Sequence, residues 1–183
     1  MKIDITDILK NDGSSLEVEF KKVLESTGSI PNDVTIDRPV YFKGGILNSG
    51  GIIRLEGELI VDYTAKCSRC LQKVPSKIRI AIEENFVKEG YTGENNDEME
   101  DQYTYQGRCI DIKKAMLDNI ILSLPARHVC SDDCKGFCFK CGINLNNDSC
   151  DCQNKVMDPR MKVLKNLFEN KAINHNKNNN PDK

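Results

Sequence analysis

Six of the nine cysteines of this chain fall within residues 130–152, in the string CSDDCKGFCFKCGINLNNDSCDC, and a further CxxC pair stands apart at Cys67 and Cys70. Such spacings converge thiolates, and thiolate is a soft ligand that suits zinc, iron–sulfur clusters or copper(I). A tetrahedral all-cysteine zinc site takes two close pairs at Zn–S distances of about 2.3 Å. Cys138 and Cys141 supply one pair and Cys150 and Cys152 another, which makes these four the most economical site. Gly142 follows Cys141 directly, where a glycine lets backbone N–H groups turn toward sulfur without a Cβ clash. The remaining pairs, Cys67–Cys70 and Cys130–Cys134, can make a second four-thiolate site that ties the C-terminal segment back to the rest of the chain. Cys109 is left over and, beside Ile110, reads as an ordinary buried small residue.

An odd number of cysteines argues against complete internal pairing, and in a reducing compartment clustered cysteines mean metal more often than disulfides. The N-terminal MKIDITDILK alternates apolar and charged residues, so no secretory signal is expected there, and no apolar run approaches a membrane span. A cytoplasmic protein without a membrane partner is the expectation. The formal net charge of −2 points to no whole-molecule attraction for nucleic acid. Local charge is less even: eight acidic residues lie between Glu83 and Asp101 against the single Lys88, and from Lys155 onward seven Lys or Arg face three acids.

Hydrophobic periodicity predicts an antiparallel sheet. Ile53, Leu55, Leu59, Val61, Tyr63 and Ala65 share one parity, while Arg54, Glu56, Glu58, Asp62, Thr64 and Lys66 share the other, a period of two that signals a long half-buried strand. Val34 to Leu47 reads as its partner across the turn Asn48-Ser-Gly-Gly51, and Lys77 to Glu83 as the strand on the far side. Shorter strands are expected around Ile3 and Ile5 and around Leu16, Val18 and Phe20. The fold class expected is α+β: an antiparallel β-meander or partly closed barrel, one long helix, and a C-terminal cysteine-rich zinc-binding module. The Cys67–Cys70 pair then sits in a knuckle-like turn between two strands.

The polar stretch 89–107 reads as an acidic mobile loop. A helix over 111–124 follows, with Asp111 as cap, Ile112, Met116, Ile120 and Leu124 as its stripe, and Pro125 as its stop. Asp158-Pro159 opens a last short helix with Met161, Leu164, Leu167 and Phe168 on one face. The domains expected are a sheet domain over 1–125, a zinc module with the short helix over 126–172, and a disordered tail over 173–183.

An all-thiolate site is coordinatively closed, so it stabilises rather than catalyses. A redox CxxC sits at a helix N-terminus that depresses the thiol pKa, whereas Cys67–Cys70 lies between strands. Of the two histidines, His128 reads as a partly exposed spectator rather than a substitute ligand, and His175 lies in the tail. No GxSxG, HExxH, P-loop or GxGxxG is present. No enzyme and no small-molecule substrate are expected.

Three strings coincide: CSRCL at 67–71, LPARHVCSDDCKGFCFKCGINLNNDSCDC at 124–152, and DPRMKVLKNL at 158–167. Together they resemble the YceD family of bacterial and plastid proteins, linked to accumulation of large-subunit (23S) ribosomal RNA. In that family the CxRC turn, the cysteine-rich segment and the Asp-Pro-Arg helix recur as a set, matched here by Cys67–Cys70, Cys130–Cys152 and Asp158–Leu167. Some members lack the full C-terminal cluster, which implies that its metal is a stabiliser. The resemblance implies a non-enzymatic role in making or protecting the large ribosomal subunit.

Three readings follow. One is direct contact with rRNA through Arg69, Lys73, Lys77 and Arg79 near the knuckle and Arg160, Lys162 and Lys165 on the last helix. A second is a module whose acidic residues 94–101 hold a basic ribosomal protein, the encounter steered by charge. The third is a thiol-based redox or metal-handling protein.

Overall fold

In a computed structural model of the protein, residues 1–24, 30–91 and 102–152 are described. The chain divides into two compact units, Met1–Cys134 and a second that begins at Lys135. The first unit carries β1 (Lys2–Asp4), a 3-10 helix (Ile8–Lys10), β2 (Ser15–Lys22), β3 (Val34–Thr35), β4 (Val40–Ser49), β5 (Ile52–Lys66), β6 (Lys73–Lys88), β7 (Tyr103–Tyr105), β8 (Cys109–Asp111) and the helix α1 (Lys113–Ser123). It is mostly β-sheet with one helix.

The alternation between Ile52 and Lys66 becomes a strand whose odd-numbered residues other than Gly57 are buried, Ile53, Leu55, Leu59 and Val61 completely. β4 joins β5 through Gly50 and Gly51, at φ 60° and 88°, the positive values that a two-residue hairpin of primed type needs. β5 then pairs with β6 without interruption from Ile53↔Phe86 to Lys66↔Lys73. β2 flanks β4 on one side, and β7 flanks β6 on the other in parallel orientation.

The partner strand expected over 34–47 is broken. Val34 and Thr35 pair with Ala65 and Thr64, and Tyr41 pairs with Ile60, so two extra residues of the first strand bulge out around Pro39. Pro39 has no N–H for the ladder, and it restricts the residue before it. The partly closed barrel does not form. β2 and β7 end the six-stranded sheet, and among the described residues they do not pair with each other. The acidic stretch 89–107 also contains β7, too short to show a period in sequence.

On the inner face Phe42, Ile46, Leu55, Leu59, Ile80, Ile82 and Phe86 form one core with Ile112, Ala115, Met116 and Ile120 of α1. Burying side chains of this size contributes about 1.5–3 kcal/mol each. The helix starts later than the sequence suggests: Ile112 is its N-cap, without a side-chain cap hydrogen bond, and Asp111, one residue earlier, accepts the Lys113 N–H at 3.0 Å. It stops at Ser123 because Leu124, before Pro125, takes the extended conformation at ψ 134°.

Gly44 and Gly57 face each other across β4 and β5. A Cβ on Gly57 would lie 2.5 Å from the Lys43 carbonyl oxygen, 2.7 Å from the Gly44 Cα and 2.8 Å from the Phe42 ring. The two bare positions leave room for the Phe42 ring, which a Cβ at either would meet at 2.8 Å.

Candidate metal centres

The β5–β6 hairpin closes through Cys67-Ser-Arg-Cys-Leu-Gln72, and its backbone folds back on itself. The Cys67 N–H donates to the Gln72 carbonyl at 2.8 Å, and the Leu71 N–H donates to the Cys67 carbonyl at 2.9 Å. Leu71 pays for this turn with a φ of 55°. The tight reversal aims N–H groups at sulfur: Arg69 donates to Cys67 Sγ at 3.4 Å.

The segment after α1 is fastened to this turn by three contacts. The Ser68 N–H donates to the His128 carbonyl at 2.8 Å. Tyr63 Oη and His128 Nε2 meet at 3.1 Å with the rings edge to face. Arg69 Nη1 donates to the carbonyls of Asp132 and Cys134, both at 2.9 Å. Cys130 and Cys134 thereby arrive beside Cys67 and Cys70. Cys67 and Cys134 Sγ are 3.9 Å apart, Cys70 and Cys130 Sγ 3.6 Å, and all four sulfurs lie within 4.8 Å of one another.

These separations exceed a disulfide bond of about 2.05 Å. They match the roughly 3.8 Å between sulfurs on a tetrahedron with 2.3 Å Zn–S arms. The donor set fits a four-coordinate soft-metal ion. Cys67, Cys70 and Cys134 are buried while Cys130 is exposed, so the cluster sits at the molecular surface.

The second quartet repeats the turn. Cys138 N–H donates to the Ile143 carbonyl and Gly142 N–H to the Cys138 carbonyl, both at 2.8 Å, with Gly142 at φ 74°. Phe137 bridges to Asn144, and the Leu145 N–H donates to the Gly136 carbonyl at 2.9 Å. Asn side chains finish the loop: Asn146 Oδ1 accepts from Lys135 N–H at 2.8 Å, and Asn144 Oδ1 from Asn146 N–H at 3.0 Å. The sulfurs of Cys138, Cys141, Cys150 and Cys152 also lie within 4.8 Å of one another.

Each quartet holds a graded set of thiols. Burial pushes Cys67 up, but N–H groups of Arg69, Cys70 and Cys130 outweigh it and bring the thiol down to about 6. The N–H groups of Cys141 and Lys140 bring Cys138 down to about 6 as well. Their neighbours move the other way. Cys134 and Cys70 beside it push Cys130 up to about 12, and Cys141 with burial does the same to Cys152. One easily formed thiolate and a reluctant partner are what crowded sulfurs show when no cation neutralises them.

The other residues singled out in the sequence are placed as follows. Lys73 opens β6 and is exposed. Lys77 ion-pairs with Asp62 at 3.3 Å and Arg79 with Glu58 at 3.7 Å. Arg160, Lys162 and Lys165, the acidic residues 94–101, the helix expected from Asp158 and the tail lie outside the described residues. Two expectations are corrected. Cys109 is exposed, because Ile110 takes the inward position of β8 and turns its neighbours out. His128 is no spectator: it is 7 % exposed and bonded to Tyr63. Tyr63 carried the missed signal, since a phenol on the buried parity of a strand needs a hydrogen-bond partner.

The family model for the large ribosomal RNA subunit accumulation protein YceD matches residues 55–168. The chloroplastic large ribosomal RNA subunit accumulation protein YCED homolog 1 of Arabidopsis thaliana is 27% identical, over 90% of this chain and 57% of its own. The homolog of that name in Zea mays is 26% identical over 80% of this chain and 57% of its own. An uncharacterised protein of Mycobacterium bovis is 24% identical over 90% of this chain and 79% of its own. The chain thus spans little more than half the length of these chloroplast relatives. No solved structure matches it. Among the described residues no helix is long and apolar enough to cross a membrane.

Proposed function

The chain belongs to the YceD family of large ribosomal RNA subunit accumulation proteins, and from that premise we propose that it is a non-catalytic, zinc-stabilised factor that promotes accumulation of large-subunit rRNA by contacting the RNA directly. The observation that carries this reading is the assembly of Cys67, Cys70, Cys130 and Cys134 at the end of the β5–β6 hairpin, beside Arg69 and Lys73. Zinc in that quartet would serve as a cross-link between the hairpin turn and the segment after α1, and four thiolates leave no open position for a water nucleophile. The quartet of Cys138, Cys141, Cys150 and Cys152 would order the second unit in the same way.

The staple fixes basic side chains in place. Arg69 and Lys73 lie at the hairpin end, Lys77 and Arg79 lie further along β6 opposite Asp62 and Ile60, and Arg160, Lys162 and Lys165 supply further positive charge along the sequence. Phosphate contacts of this kind are sequence-independent, steeply salt-dependent and compatible with a small net charge. The reading places the protein in the cytoplasm, where reduced thiols are available to metal.

The test is depletion of the protein followed by the ratio of large- to small-subunit rRNA, together with ultraviolet crosslinking of RNA to the tagged chain. A falling ratio and crosslinked large-subunit rRNA are expected. An unchanged ratio sinks the accumulation role. A fallen ratio with no crosslinked RNA, but with a basic ribosomal protein recovered instead, moves the contact to the acidic residues 94–101. Thiols that react freely with an alkylating probe before chelation, and no bound metal, would turn the reading to thiol redox.

A further inference from the structure

The outer face of the sheet carries charges on β2, β4, β5 and β6, and many of them face an opposite charge across the ladder. Glu19 faces Lys43, and Lys43 faces Glu58. Asp62 faces Lys77 and pairs with it, and Arg79 reaches Glu58. Glu56 and Glu83 are like-charged partners in register, yet Arg54 ion-pairs with both. Among the described residues one rung sets two cations opposite each other. Lys66 and Lys73 face each other on the last rung before the cysteine turn, and both are exposed. Among the described residues no carboxylate lies within ion-pair distance of either. Asp33 comes near Lys66 through its backbone carbonyl, which accepts the Lys66 N–H at 2.8 Å.

Like charges directly opposite on neighbouring strands are destabilising. The Lys66–Lys73 rung holds that repulsion where the glutamate rung of the same ladder has relieved it. A third cation stands on the connecting turn: Arg69, held in place by the carbonyls of Asp132 and Cys134. Two ammonium groups in register, with a guanidinium on the adjoining turn, match the chemistry of an anion that accepts from both.

We propose that Lys66 and Lys73, with Arg69 beyond them, form a phosphate-binding point at which the chain grips the backbone of large-subunit rRNA. The inference rests on the RNA reading above and narrows it to one rung. A phosphate seated between the two ammonium groups turns their repulsion into two charge-assisted hydrogen bonds. Lys77 and Arg79 must first give up Asp62 and Glu58 to do the same, so they contribute less. The cysteine staple matters to this contact because it anchors the turn that carries Arg69.

The test compares the full chain as purified with Lys66→Gln/Lys73→Gln and with Lys77→Gln/Arg79→Gln. Binding of overlapping transcripts that cover the large-subunit rRNA is titrated against KCl. Each phosphate-contacting lysine lost should make the log–log salt slope shallower by about 1, so the first variant should lose about 2. The second variant should lose less. Thermal unfolding of the first variant should stay level or rise, since the repulsion is gone; if it falls, Lys73→Gln alone is used, with a slope change of about 1. Wild-type binding with an unchanged slope in the first variant, or a larger loss in the second, overturns the phosphate point and leaves the RNA reading standing. No salt-dependent complex with the wild-type chain overturns both. An acidic peptide that binds the rung while RNA does not also overturns the proposal.

Discussion

Leu71 and Gly142 hold the same position in two copies of one turn. Each follows the second cysteine of a CxxC, each donates its N–H to the carbonyl of the first cysteine, and each stands at positive φ, 55° and 74°. Only glycine takes that conformation freely; other L-residues carry a cost of roughly 1–2 kcal/mol there. Leu71 does not recover the cost by packing, because it is 62 % exposed. Leu71→Gly should therefore stabilise the first unit by about 1 kcal/mol, less whatever the freer unfolded chain takes back. A denaturant midpoint that moves down would show that the Leu71 side chain has a partner within the fold.

The Gly44–Gly57 pair makes the opposite prediction. In Gly57→Ala the new methyl meets backbone atoms at 2.5 and 2.7 Å, and backbone cannot rotate away. Overpacking of this kind costs about 1–3 kcal/mol and occasionally more. Gly45→Ala is the control: its nearest neighbour is the Leu16 carbonyl oxygen at 3.6 Å. Thermal melts of the two variants should separate clearly, with Gly45→Ala close to the parent chain.

The sheet was legible where one face is wholly apolar and the strand is long, as in Ile53 to Ala65, because a period of two cannot be produced by a helix. The break at Ile36–Pro39 was hidden by apolar residues on both sides of it, although Pro39 itself was the clue. β7 was invisible: three residues show no period, and a parallel partner leaves no hairpin signature. The thiol quartets emerged from counting pairs and asking which were left over, and the structure brings those same thiols together. Exposure of single residues was not legible. Cys109 and His128 each depend on contacts between segments far apart in sequence, Ile3↔Ile110 in one case and Tyr63 in the other. Arg69 read as an RNA-contacting cation near the knuckle, and only the fold shows its guanidinium on the carbonyls of Asp132 and Cys134.

The Tyr63–His128 contact offers a third prediction. Tyr63 is 4 % and His128 7 % exposed, so removing the phenol oxygen strands a ring nitrogen away from water. Tyr63→Phe should cost about 1–3 kcal/mol, the penalty of a buried polar group left unpaired. His128→Phe with Tyr63→Phe replaces both partners by apolar groups and should recover part of that loss. A double-mutant cycle that shows no coupling between the two positions would mean that the hydrogen bond contributes nothing.

The two quartets should respond differently to loss of metal. Cys70 and Cys130 are 60 residues apart in the chain, so a metal joining them closes a long loop within the first unit. The chain-entropy argument used for cross-links gives about 4 kcal/mol for a loop of that length. The quartet from Cys138 to Cys152 closes only a short loop, in a unit of its own. Metal analysis should find two equivalents of zinc per chain. Cys130→Ser/Cys134→Ser should leave one equivalent and lower the main unfolding transition by an amount of that order. Cys138→Ser/Cys141→Ser should also leave one equivalent but should not move the main transition. Binding must also weaken as pH falls, since protons compete for every thiolate and Cys130 and Cys152 take them up most readily, their thiols standing at about 12. A main transition that shifts equally in both double variants, followed by circular dichroism with and without chelator, would show that the first quartet is not the staple of the sheet.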